Sequence, residues 1–308
     1  MKRGVVPERI DAAPEVREAI ASGSSTRLYP AGDDRRYPDI QLLPSHVAMF
    51  ARFTSAIVRP PARNFADGLT TVDLGRPDVD LALQQHAAYC AALERHGCAV
   101  TALPANERYP DSTFVEDTAL ILPGIGAILA RPGATSRAGE VDGITEALHH
   151  RFAALAQIVA PGTLDAGDVC EAGNHVFIGI SHRTNAEGAT QLATWLASHG
   201  YSSSTVDIRG IDSILHLKSG IAAIEPQRLV LIDVLADHPV FAGYDIVRVP
   251  EGEEYGANCV RINDVVFTSA GQPTFDATLR ALGYRLEVLD MSEYRKMDGG
   301  LSCLSLRF

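Results

Sequence analysis

Four times along the chain a polar stretch runs into an apolar segment, a turn, and a second apolar segment. Residues 114–122 pass through Pro123-Gly124 into 127–130, and residues 164–170 turn at Gly173-Asn174 into 176–180. Residues 216–224 turn near Pro226 into 229–232, and residues 258–262 turn at Asn263-Asp264 into 265–268. Each is a hairpin pattern, with turn-forming residues between two β-rich runs. The starts recur at intervals of roughly 40 to 50 residues, the spacing of propellers and solenoids. This repeat constrains the fold more than any single motif.

Helical stretches fill the intervals. Residues 78–96 carry Val79, Leu83, Ala87 and Leu93 near helical spacing and end at Gly97, a glycine stop. Residues 184–199 start with Thr-Asn, gather Leu192, Trp195 and Leu196 on one face, and stop at Gly200. Residues 274–282 repeat the pattern before Gly283. The last ten residues supply only one strand. Its natural partner is the isolated strand expected at 52–58, so both ends of the domain would share one blade. The pattern predicts an α/β fold of about five β-rich units around an axis, with the polar starts converging at one mouth.

Residues 1–48 read differently. They hold five prolines and the polar run Ser22-Gly23-Ser24-Ser25, with no sustained periodicity. A short helix over 14–21 is compatible with Pro14 in a first turn. We expect 1–48 to be a loosely ordered extension, as an upstream translation start would produce, and 49–308 to be the catalytic domain.

The formal net charge of -11 disfavours nucleic acid or an anionic membrane as partner and suits a cationic small molecule. A homodimer is compatible with the chain. The five scattered cysteines (Cys90, Cys98, Cys170, Cys259, Cys303) form no C-x-x-C pair, so neither structural zinc nor a disulfide framework is expected. Free thiols, together with the lack of a signal peptide or an ~18-residue apolar run, predict a cytoplasmic protein.

The hairpin starts collect Asp111, Glu116, Asp117, Asp165, Asp168, His216, Asn258 and Cys303. A cysteine, a histidine and carboxylates at equivalent places of a ring meet the needs of thiol catalysis: a nucleophile, a proton shuttle and a group that orients it. Singly, the same residues fit structural roles. A cysteine in a terminal strand buries as a small hydrophobe, and His216 could be a satisfied core histidine. Arg131 and Arg183 could be surface arginines beside turns. His86, His96, His149, His150 and His199 fall on helical stretches and read as structural.

Seven stretches carry a resemblance: residues 65–71, 110–117, 164–169, 181–189, 215–220, 255–259 and 292–308. In order and spacing the chain from Met49 to Phe308 resembles the bacterial dimethylarginine dimethylaminohydrolases of the guanidine-modifying superfamily. The resemblance implies a five-bladed α/β propeller of pseudo-symmetric ββαβ units, the pentein fold, and a hydrolase acting on C–N bonds in linear amidines. It implies Cys303 as nucleophile, His216 as general acid and base, and Asp165, where bacterial relatives often have Glu, as the carboxylate orienting His216. Glu116 and Asp117 would grip the guanidinium, Arg131 and Arg183 the α-carboxylate, and Asp111 with the Leu69 carbonyl the α-ammonium. The Met297 backbone would line the site. No metal or organic cofactor is implied. An arginine deiminase-like hydrolase and a non-catalytic arginine-binding propeller are the alternatives.

Overall fold

The computed structural model describes residues 52–153 and 155–308, so the expected boundary at residue 48 and the helix over 14–21 lie outside the described residues. Among the described residues, fifteen short strands form five three-stranded sheets. The first sheet joins β1 (Ser55–Val58) to β2 (Ala99–Ala102) in parallel, and to β15 (Ser305–Arg307) antiparallel on its other side. The strand expected at 52–58 therefore does pair with the C-terminal one, and the ring closes there.

The other four sheets follow one plan, a tight antiparallel hairpin and then a parallel third strand. They are β3 (Ala119–Leu122), β4 (Gly126–Leu129) and β5 (Leu155–Gln157); β6 (Val169–Ala172), β7 (His175–Ile180) and β8 (Ser202–Asp207); β9 (Ile221–Glu225), β10 (Arg228–Leu231) and β11 (Asp245–Arg248); and β12 (Val260–Ile262), β13 (Val265–Ser269) and β14 (Arg285–Leu289). A parallel pair needs a crossover, and helices supply most of them: α1 (Val79–Arg95), α2 (Glu140–His149), α3 (Ala186–Ser198) and α5 (Pro273–Ala281). The crossover before β11 has the single turn α4 (Asp233–Ala236) and a 3-10 turn at Pro239–Phe241. A further turn, α6 (Ser292–Arg295), precedes the C-terminal strand.

Local chemistry sets the helix bounds. Asp78 caps α1 by accepting from Asp80 and Leu81 N–H, and Asn185 caps α3 through the Gly188 N–H. Gly97, just past α1, sits at φ +93, in the left-handed region where glycine carries no steric cost. Among the described residues no helix is long and apolar enough to cross a membrane.

Burial grades outward across each blade. The middle strand β13 is buried throughout, whereas the third strand β2 is mostly exposed. Apolar side chains pack between the blades and under the helices; Tyr89, Phe177, Phe267 and Phe275 are all fully buried. Burying such a side chain contributes about 1.5–3 kcal/mol, so the inter-blade layers hold the ring together.

Candidate active site

The polar starts of the hairpins lie in short 3-10 turns just ahead of the strands. Such turns are Val115–Thr118, Ala166–Asp168, Leu217–Ser219, Glu254–Ala257 and Ser302–Leu304, one before each innermost strand. An irregular turn leaves side chains free to aim along the axis, where a strand would alternate them between sheet faces. Four of the five turn regions bring polar side chains to one mouth; at the fifth, Asn258 instead donates to the Lys218 carbonyl and Ser302 Oγ.

One pocket at this mouth is lined by Leu69, Asp111, Asp117, Arg183, His216, Met297 and Cys303, together with Arg137 and Gly299. His216 faces Asp165 through Nε2 (3.1 Å to Oδ2) and Asp117 through Nδ1 (3.8 Å to Oδ1). Asp165 is fully buried. Its Oδ1 accepts from the Gly133 N–H at 2.8 Å, which fixes the carboxylate against the ring. Gly167 is required here: a Cβ would lie 2.5 Å from Asp117 Oδ1 and 2.8 Å from His216 Nδ1.

Burial alone would lower the His216 pKa, but Asp117, the hydrogen bond to Asp165, and Asp168 together raise it to about 9. Burial pushes Asp165 up, and its contacts with His216, Arg137 and Gly133 outweigh that, leaving it at about 2. The pair therefore stands as imidazolium and carboxylate at neutral pH. The Cys303 thiol is pushed up to about 12, first by burial and then by Glu116 and Asp117. An empty pocket thus keeps the thiol protonated, and a cation delivered to it favours the thiolate.

The remaining expected residues divide. Asp111 accepts from the Leu69 N–H with both oxygens, at 3.0 and 3.2 Å. Arg183 borders the pocket with a buried Nη1 that makes no hydrogen bond among the described residues. Arg131 is not brought to the pocket; its Nη1 donates to the Gly162 carbonyl at 2.9 Å. Glu116 faces away from its neighbour Asp117: its Oε1 accepts from Lys218 (2.9 Å) and Arg307 (2.8 Å), while Oε2 is buried and unpartnered.

Sequence reasoning passed over Arg137. This buried side chain donates to Asp117 at 2.6 Å and to Glu140 at 2.7 Å, and reaches the carbonyls of Asp111 and Phe114. Its pKa stands well above the ordinary value, because Asp117 and Glu140 outweigh its burial. The Arg137–Glu140 spacing of three was the available signal, but that spacing also describes an ordinary exposed pair on a helix. Lys218 and Arg307 carried no signal of their own.

Asp117, Asp165 and His216 offer ligand atoms within 4.8 Å of one another, the spacing of a metal site. Their oxygens are already engaged by Arg137, Gly167, Gly133 and His216, so a cation would have to displace built hydrogen bonds.

No family model matches the chain. It is 45% identical over 257 residues to the N(G),N(G)-dimethylarginine dimethylaminohydrolase of Pseudomonas aeruginosa, covering 83% of this chain and 100% of that protein. The chain belongs to the dimethylarginine dimethylaminohydrolase family. A family member from Streptomyces coelicolor is 34% identical, over 82% of this chain and 96% of its own length. Solved dimethylarginine dimethylaminohydrolase structures agree. A histidine-to-glycine form in adduct with S-methyl-L-thiocitrulline has a TM-score of 0.80 at 45% identity, covering 83% of this chain and all of that one. A cysteine-to-serine mutant from Pseudomonas aeruginosa complexed with citrulline has a TM-score of 0.81 at 44% identity, covering 84% of this chain and all of that one. The N-terminal domain of a cyanobacterial arginine dihydrolase, at 17% identity and a TM-score of 0.74, shares the five-bladed fold alone.

Proposed function

We propose that this protein hydrolyses Nω-methylated arginines, asymmetric dimethylarginine and monomethylarginine, to citrulline and an alkylamine through a covalent thiouronium on Cys303. The observation that carries the reading is the pocket shared by Cys303 and His216 with Asp111, Asp117 and Arg183. Acids suit the two cationic ends of an arginine, and Arg183 suits its carboxylate.

The substrate guanidinium enters beside Asp117 and close to Glu116. Its positive charge lowers the thiol pKa, the Cys303 proton leaves to solvent because His216 is already protonated, and the thiolate sulfur adds to the central guanidinium carbon. His216, protonated at neutral pH, gives its proton to the departing amine as the C–N bond breaks. Neutral His216 then takes a proton from water, whose oxygen attacks the thiouronium carbon. As the C–S bond breaks and the C=O bond forms, the hydroxyl proton passes to the departing sulfur, His216 keeps the other, and citrulline leaves. Asp165 holds the imidazole in place throughout. Arg183, whose Nη1 makes no hydrogen bond and lies 3.9 Å from Asp165 Oδ2, serves the α-carboxylate, and Asp111 with Leu69 serves the α-ammonium. Arg131, committed to a backbone carbonyl, plays no part in this reading. A small-molecule substrate, a homodimer and a cytoplasmic setting complete it; the five free cysteines support the last.

The deciding experiment is incubation with asymmetric dimethylarginine and, separately, with arginine, identifying the amine released. Citrulline with dimethylamine is expected, and Cys303→Ser should abolish both. Ammonia released from arginine at a higher rate would make the protein a deiminase instead.

A further inference from the structure

Asp168 is fully buried and lies outside the wall of the pocket, yet both of its carboxylate oxygens are spent on residues next to the site. Oδ1 accepts from the Leu217 N–H at 2.9 Å, across 49 residues of chain. Oδ2 accepts from the Ser181 and Thr184 hydroxyls, each at 2.6 Å, the short range of a hydroxyl bonded to a charged acceptor.

Each hydroxyl carries this anchor one step further. Ser181 Oγ accepts from the Arg183 N–H at 2.9 Å and from the Thr184 N–H at 3.0 Å. A hydroxyl has one proton and two acceptor positions, so Ser181 is saturated and its proton must point to Asp168. Thr184 Oγ1 accepts from the Asp165 N–H at 3.1 Å. One carboxylate thus holds the backbone of the residue after His216 and, through one hydroxyl each, the backbones of Asp165 and Arg183.

Gly179 supports this placement independently. It lies inside β7, where a glycine weakens the sheet and marks a close approach. A Cβ there would stand 2.9 Å from Asp168 Oδ1 and 2.9 Å from Leu217 Cβ. Any other residue would press on both partners of that hydrogen bond at once.

Resting on the roles given above to His216, Asp165 and Arg183, we propose that Asp168 is the positioning residue of this site. Its Oδ1 sets the turn that carries His216, and its Oδ2, through Thr184 and Ser181, sets Asp165 and Arg183. It touches no substrate. The Leu217 and Thr184 branches act on the proton transfers, and so on kcat. The Ser181 branch acts on the grip of the α-carboxylate, and so on KM.

The test is steady-state hydrolysis of asymmetric dimethylarginine by the full chain, with Asp165→Asn and Arg183→Ala measured alongside as references. Thr184→Val keeps the shape of the side chain and removes its hydroxyl. We expect it to lower kcat at least tenfold with KM within threefold. Thr184→Ser, which keeps the hydroxyl, should stay within threefold of the unmodified protein. Ser181→Ala should raise KM at least fivefold with kcat within threefold. Asp168→Asn should show both changes, because its amide accepts on one side only and turns its NH2 toward either the Leu217 N–H or the two hydroxyls. If Asp168→Asn does not fold, the Thr184 and Ser181 variants decide alone. Equal loss of kcat in Thr184→Val and Ser181→Ala at unchanged KM would indicate a merely structural role and overturn the proposal. So would a Thr184→Ser protein no better than Thr184→Val, or unmodified kinetics in Thr184→Val and Ser181→Ala while both reference variants are impaired. Unmodified kinetics in Asp165→Asn and Arg183→Ala would instead remove the roles on which the proposal rests.

Discussion

His216 Nε2 lies 3.1 Å from Asp165 Oδ2 although 51 residues separate the two in the chain. Asp165 thereby fixes the ring and keeps it protonated, so its loss should act on the proton steps rather than on binding. Asp165→Asn is expected to lower kcat by about 10²-fold or more, within the range general acid–base help supplies. KM should change little, and the alkaline limb of the pH–rate profile should move to lower pH. An unchanged profile in steady-state assays would refute this role.

The same contact makes folding stability depend on pH. The folded pKa of His216, about 9, lies above its ordinary 6.5. Its contribution is complete below 6.5 and is lost as pH rises through about 9. Asp165 is depressed from 3.8 to about 2, so its share is present above 3.8 and is lost as pH falls through about 2. Urea midpoints should therefore decline between pH 7 and 10, and this decline should flatten in His216→Ala, provided that variant folds.

Cys303 carries a thiol raised to about 12 by burial, Glu116 and Asp117. In the free protein its alkylation by iodoacetamide should climb tenfold per pH unit from pH 7 to 10 without a plateau. Glu116→Gln and Asp117→Asn should each speed alkylation at fixed pH by removing a negative neighbour. A plateau near neutral pH would show that the thiolate forms without a substrate cation.

Arg137 bridges Asp117 and Glu140 with all three side chains buried. Arg137→Met leaves two buried carboxylates without their cation, a loss of about 3 kcal/mol or more. Thermal unfolding should shift down by roughly 5 °C or more for a chain of this size. Arg137→Lys should recover only part of it, because an ammonium cannot reproduce the forked donors.

Asp298 holds the rim of the pocket. Its carboxylate accepts from the Thr71 N–H at 2.5 Å and from the hydroxyls of Thr70 and Thr71, anchoring the segment that carries Leu69. Asp298→Ala should raise KM several-fold with a smaller effect on kcat and about 1 kcal/mol or less on stability. Asp298→Asn should stay nearer to the unmodified protein, since Asn tolerates the φ of +56 at this position.

The repeat of hairpins, the helix stops at Gly97, Gly200 and Gly283, and the pairing of the first and last described strands were legible because each rests on local pattern or on counting strands. The polar starts were legible for the same reason, and their convergence follows from a ring. The helix ends shifted by one or two residues, as at Val79–Arg95, because caps sit outside the last hydrogen-bonded turn.

By itself the sequence determined the α/β repeat, the closed ring, and which polar residues stand at its mouth. Only the tertiary structure decided which way each of them faces. Adjacent residues in a 3-10 turn diverge in direction, so Asp117 meets His216 while Glu116 meets Lys218 and Arg307 on the far side. Likewise Arg131 and Arg137 are indistinguishable as arginines beside a turn. Only the packing of the blades gives one a carbonyl partner and the other two buried carboxylates.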